Sequence, residues 1–179
     1  IAKVNCLTLD KMQVIQYASD AERNYVGLCN GILDQACVVL CEKNKLLSLD
    51  TYTSSYELLP FGNDENKELP FKVGVFFSGI TRKLTGTDYN LRVLECKTAV
   101  WMMEAYEHHP LKELENSHLR DVDRSVFEKY EKQMPERFAR RARHFYSEYA
   151  RVKEGVEAWK SGDIEKFGQY IFESCESSI

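Results

Sequence analysis

Asp34 stands three residues after Gly31 in the run Asn30-Gly31-Ile32-Leu33-Asp34-Gln35, at the expected start of a helix. A carboxylate in that place can meet a substrate hydroxyl, orient it and accept its proton. A negative charge is also favoured at a helix N-terminus. Gly31 leaves room for a ligand and permits unusual backbone angles. A second carboxylate, Glu22, lies shortly upstream in Ala21-Glu22-Arg23-Asn24-Tyr25-Val26-Gly27-Leu28. Taken singly, Asp34 also reads as an ordinary first-turn aspartate and Glu22 as a solvated helix charge.

The elements around these residues can be read from spacing. Thr8 is the expected cap of a helix over about residues 9–24, whose apolar positions Met12, Ile15 and Ala18 recur at helical spacing. Gly27 and Asn30-Gly31 interrupt it, and a short helix over about 33–41 follows. Residues 46–49 and 56–59 read as strands, at least half buried. The polar run from Phe61 to Pro70 is the clearest loop and a boundary between units, and Lys72-Val73-Gly74-Val75-Phe76-Phe77 reads as a buried strand. Helices are expected over about 88–107, 124–132, 135–160 and 164–173. His108-His109-Pro110 ends the first, and Gly162-Asp163 stops the third and caps the fourth. Strands followed by helices imply an α+β fold.

Bulk properties narrow the function classes. The chain has 179 residues and a net charge of -4, which argues against general nucleic-acid binding. Its hydrophobic fraction of 44% suffices for a real core, and no stretch reaches the length of a membrane span. The six cysteines are dispersed without a Cys-x-x-Cys pair, which implies free thiols in a reducing cytoplasm. Cys37 and Cys41 share a helical spacing but lack the nearby histidines of a metal site. The basic run from Arg137 to Arg143 could serve a helical interaction module, although nearby glutamates explain it as the solvated side of a long helix.

Several blocks together resemble the galactokinase branch of the GHMP kinases. Galactokinases carry Gly-Ile-Met-Asp-Gln, and Gly31-Ile32-Leu33-Asp34-Gln35 is similar. The resemblance makes Asp34 the catalytic residue and places Gly31 and Asp34 at the sugar. It makes Glu22, in Ala21-Glu22, a ligand of the nucleotide's magnesium. Tyr89-Asn90-Leu91-Arg92-Val93-Leu94-Glu95-Cys96 looks like the family's Tyr-Asn-x-Arg-Arg-x-Glu-Cys, which implies that Tyr89 contacts the sugar. Val93 stands where the family has a second arginine. Arg141-Ala142-Arg143-His144 resembles the Arg-Ala-x-His of a long family helix, where His144 is expected to be structural. Cys175 follows Glu173-Ser174 where many galactokinases have histidine. Within the branch, galacturonokinases are the nearer likeness. They share Gly27 to Gln35, apart from local changes, Phe77-Ser78-Gly79, Tyr89 to Val93, and Glu157-Ala158-Trp159.

The resemblance implies ATP and Mg2+ as cofactors and a galactose-like sugar as substrate, phosphorylated at its anomeric hydroxyl. A catalytically silent sugar and nucleotide sensor of the same fold is the alternative, and retention of both Glu22 and Asp34 favours an enzyme. Arg82 and Lys83 are the cations that could meet a sugar carboxylate, though they also read as exposed loop charges. The family's phosphate-binding loop, Gly-Glu-His-x-Asp-Tyr and Gly-Gly-Gly-Phe-Gly segments have no counterpart in this sequence. The chain thus looks like the middle of such a kinase, with residues 1–70 ending its N-terminal domain and 71–179 opening its C-terminal domain. Alone, it is expected not to transfer phosphate.

Overall fold

The computed structural model describes residues 2–81 and 88–178. Two compact units divide the chain, one made of Ile1–Thr87 with Val156–Phe167, the other of Asp88–Gly155 with Gly168–Ile179.

The first unit opens with helix α1, Lys11–Asp20. Its cap is Asp10 rather than Thr8. The Asp10 carboxylate accepts from the Gln13 N–H at 2.8 Å, and Gln13 Oε1 accepts from the Asp10 N–H at 2.9 Å. That reciprocal pair satisfies two donors at once, which Thr8, two residues further out, cannot do. The expected single helix also changes character at residue 21, where Ala21–Val26 widens into a π-helical turn ended by Gly27. Helix α2, Leu33–Leu40, then packs Ala36 and Leu40 against Ile15 of α1.

Strands β1, Lys45–Asp50, and β2, Ser55–Pro60, form an antiparallel hairpin with Leu46 opposite Leu59 and Leu49 opposite Tyr56. Its turn is held by the Asp50 carboxylate, which accepts from the Tyr52 and Thr53 N–H groups at 3.0 and 3.2 Å. Phe61 is buried, so the expected loop after β2 is anchored at its first residue. Leu59, Phe61 and Trp159 build a small core, with ring centroids 5.1 Å apart for Phe61–Trp159 and for Trp159–Phe167. The Trp159 indole N–H donates to the Leu59 carbonyl at 2.9 Å, satisfying its one polar atom inside that core. Gly62 and Gly162, both at positive φ, pass close by: a Cβ on Gly162 would lie 3.6 Å from the Gly62 Cα.

The expected buried strand over 72–77 does not form. Val75 and Phe76 are 92% and 94% exposed, and this run pairs with no strand among the described residues. Its composition suits a buried strand, but a strand also needs a neighbour for its backbone groups.

The second unit is helical: α3, Tyr89–Tyr106; α4, Arg124–Tyr130; the first part of α5, Glu136–Ser161; and the end of α6, Ile164–Ser177. Ala99, Val100 and Met103 of α3 pack with Phe127, Ala139, Ala142 and Tyr146. The buried Tyr146 hydroxyl donates to the Leu119 and Val122 carbonyls at 3.2 and 2.9 Å, pinning the segment before α4. Glu95 of α3 is buried and accepts from both Arg137 and Arg141, the latter at 2.7 Å. The basic run is therefore only partly a solvated face: two of its guanidinium groups neutralise an interior carboxylate. Burial pushes Glu95 up, but the hydrogen bonds from Arg141 and Arg137 outweigh it and hold the carboxyl below its ordinary range. The result is helix-rich with a two-stranded sheet, α+β as expected.

Candidate active site

Asp34 lies in the first turn of α2, where no side chain caps the helix and the first N–H groups point outward. Its carboxylate is exposed, and among the described residues no hydrogen bond or ion pair occupies it. Gly31, three residues earlier, has nothing within 4 Å of the place a Cβ would take. Its φ lies outside the left-handed region, so the backbone itself does not demand glycine there.

Glu22 is half-buried in the π-helical turn, its carbonyl accepting from the Leu28 N–H at 3.1 Å. Its Oε2 accepts from the Asn30 side-chain amide. That bond fastens the second carboxylate to the loop leading into Asp34. Asn30 is a residue that sequence reasoning misses, because beside Gly31 it signals only a turn. Its Oδ1, the Ser19 hydroxyl and both polar atoms of the Gln35 amide are buried without a partner among the described residues. Polar groups so placed are costly unless something completes them.

Unit one thus brings Glu22, Gly31 and Asp34 onto neighbouring elements. Tyr89 opens α3 in the other unit and is 39% exposed. Arg82 and Lys83 lie outside the described residues. His144 is a structural hydrogen-bonding residue in geometry, with Nδ1 at 2.8 Å from Ser177 Oγ, between α5 and the end of α6. None of the six cysteines forms a disulfide. Among the described residues no helix is long and apolar enough to cross a membrane, and no three metal-ligating side chains gather.

Known proteins are similar to the chain in sequence and fold. No family model matches the chain. It is 37% identical to galacturonokinase of Arabidopsis thaliana over 180 residues, which is all of this chain and 41% of that protein. It is 30% identical to galactokinase of Limosilactobacillus reuteri over 92% of this chain and 39% of that one. The galactokinase of Thermotoga maritima is likewise 30% identical, over 93% and 42%. The crystal structure of Lactococcus lactis galactokinase complexed with galactose superposes with a TM-score of 0.75 at 25% identity, covering 98% of this chain and 42% of that chain. The chain spans about two fifths of the length of these relatives. Along nearly its whole length it is similar in sequence and fold to galacturonokinase and galactokinases, the galactokinase branch of the GHMP kinases.

Proposed function

We propose that the protein containing this chain is an ATP-dependent sugar-1-kinase acting on the anomeric hydroxyl of galactose or a galactose-like sugar such as galacturonic acid. The observation that carries the reading is Asp34: an exposed carboxylate in a helix's first turn, with no partner among the described residues and open space at Gly31 beside it. In this reading Asp34 accepts a hydrogen bond from the sugar hydroxyl, orients it and takes its proton as the phosphoryl group transfers. Gly31 lets the sugar approach the backbone, and a sugar-contacting role for Tyr89 rests on the resemblance.

The donor chemistry at Glu22 fits magnesium. It is a hard carboxylate oxygen, and Mg2+ takes one or two carboxylates beside phosphates and water. Oε2 is held by Asn30, and Oε1 has no hydrogen-bond partner among the described residues. When bound, the ion would neutralise charge on the transferring phosphate. Glu22 supplies the oxygen and Asn30 fixes its direction. The catalytically silent alternative has no support among the relatives, which are named as kinases.

The test is ADP release by the intact protein with ATP and Mg2+, across galactose, galacturonic acid, arabinose and glucose. Galactose or galacturonic acid should stand out. Asp34→Asn should lower kcat by about 10²–10⁴-fold, the range lost with a positioned base, while sugar binding persists. Undiminished turnover in that variant would remove Asp34 from the mechanism.

A further inference from the structure

Two thiols stand directly behind the proposed base. Cys37 and Cys41 follow Asp34 at three and seven residues, which is one face of a helix. α2 ends at Leu40, and Cys41 turns out of it in an extended conformation, its N–H still on the Cys37 carbonyl at 3.2 Å. Cys37 stands one helical turn after Asp34, and Cys41 one turn after Cys37. Helical rise and twist over four residues set their Cα atoms about 6 Å apart, inside the span that a disulfide bridges. Cys41 is exposed and Cys37 half-buried.

We infer that Cys37 and Cys41 form an oxidisable dithiol, closed to a disulfide by a hydroperoxide, and that closure slows the chemistry at Asp34. The second half rests on the kinase reading; the first does not. Cys41 attacks the distal oxygen of the hydroperoxide as its thiolate. The O–O bond breaks, the departing alkoxide or hydroxide takes up the thiol's proton, and Cys41 becomes a sulfenic acid. Cys37 sulfur then attacks Cys41 sulfur. The S–S bond forms, the S–O bond breaks, and the leaving hydroxide takes the Cys37 proton as water. Two thiols give up two electrons and the hydroperoxide accepts them. Burial, then the adjoining Cys41 and the Asp34 charge, push the Cys37 thiol up, which suits it to resolve the sulfenic acid rather than to attack first.

Closure draws the two Cβ atoms to about 3.8 Å and reshapes the last turn of a helix only eight residues long. Asp34 occupies the other turn. A displacement of about 1 Å at a catalytic group can cost up to a hundredfold in rate.

Trypsin cuts the intact protein after Arg23 and Lys43, releasing peptide 24–43 with Cys29, Cys37 and Cys41. After treatment with hydrogen peroxide and alkylation of remaining thiols, this peptide should be lighter by two hydrogens and alkylated at Cys29 alone. Turnover of galactose or galacturonic acid should fall about tenfold, within the range just given, and return with dithiothreitol. Cys41→Ser should abolish the bond and the peroxide response, and Cys29→Ser should change neither. A peptide alkylated at all three cysteines, or bonded through Cys29, overturns the dithiol. A bond at Cys37–Cys41 with undiminished turnover overturns its effect on Asp34. Because the mass is read without any activity, a protein that phosphorylates none of these sugars still shows whether the pair closes.

Discussion

Asp34 and Gly31 separate two kinds of constraint on a residue. Asp34 is exposed and Gly31 has empty space where a side chain would go, so neither is required by the fold described. Gly31→Ala should therefore leave thermal stability within about 0.5 kcal/mol of the parent, as surface changes usually do. In the kinase reading it should raise KM for the sugar about tenfold, equivalent to about 1.4 kcal/mol, with a smaller effect on kcat. A lower melting temperature without a change in KM would assign the glycine to folding. Both carboxylates and the glycine were picked out of the sequence as candidates, because their order and spacing carry the resemblance. Asn30 was not. Its contact with Glu22 spans eight residues and depends on a π-helical turn that no periodicity announces.

At the scale of elements, helices with their own stop signals were legible and those that depend on neighbours were not. Gly162 and Asp163 mark the break between α5 and α6 as the sequence suggests: the Lys166 N–H donates to the Asp163 carboxylate at 3.0 Å. The two strands were legible from their apolar runs, but their pairing as a hairpin was not read. The run 72–77 has the composition of a strand, yet composition does not supply the partner that a strand requires. The cap of α1 moved from Thr8 to Asp10 because a reciprocal bond with Gln13 competes better than a lone hydroxyl. Gly162→Ala tests the junction. At φ +79° an L side chain is strained, and its Cβ would meet Lys67 Nζ at 3.3 Å. The expected cost is about 1–2 kcal/mol in urea titration of the intact protein, whereas Gly168→Ala, inside α6 with nothing crowding its Cβ position, should gain about 0.5–1 kcal/mol.

Over the whole molecule, enclosed ionisable groups decide how the second unit responds to acid. Burial, then the Arg151 and Arg141 charges, hold His144 below its ordinary value of 6.5, with Arg92 adding to the effect and the Ser177 hydrogen bond opposing it. A depressed histidine contributes stability that is present above its unfolded pKa and lost as pH falls through that value toward the folded one. Melting temperature should therefore drop as pH is lowered below about 6.5, and His144→Gln should flatten that part of the profile. A profile unchanged by the substitution would place the acid sensitivity elsewhere. Glu95 behaves in the same direction at lower pH, since its carboxyl is also held down. Glu95→Gln leaves Arg141 and Arg137 facing a neutral group and should cost about 2–4 kcal/mol, less than a fully enclosed pair because Arg137 is half exposed.

Trp159 reaches Leu59 across 100 residues of sequence, and Phe167 closes the same aromatic cluster. A ribosome that has released Phe61 must still add roughly a hundred residues before that cluster can assemble, on the order of ten seconds at ordinary rates of synthesis. During that interval the hairpin emerges with its apolar face uncovered. The nascent chain is thus a natural client for chaperones, and its most vulnerable moment comes before the long helix is finished.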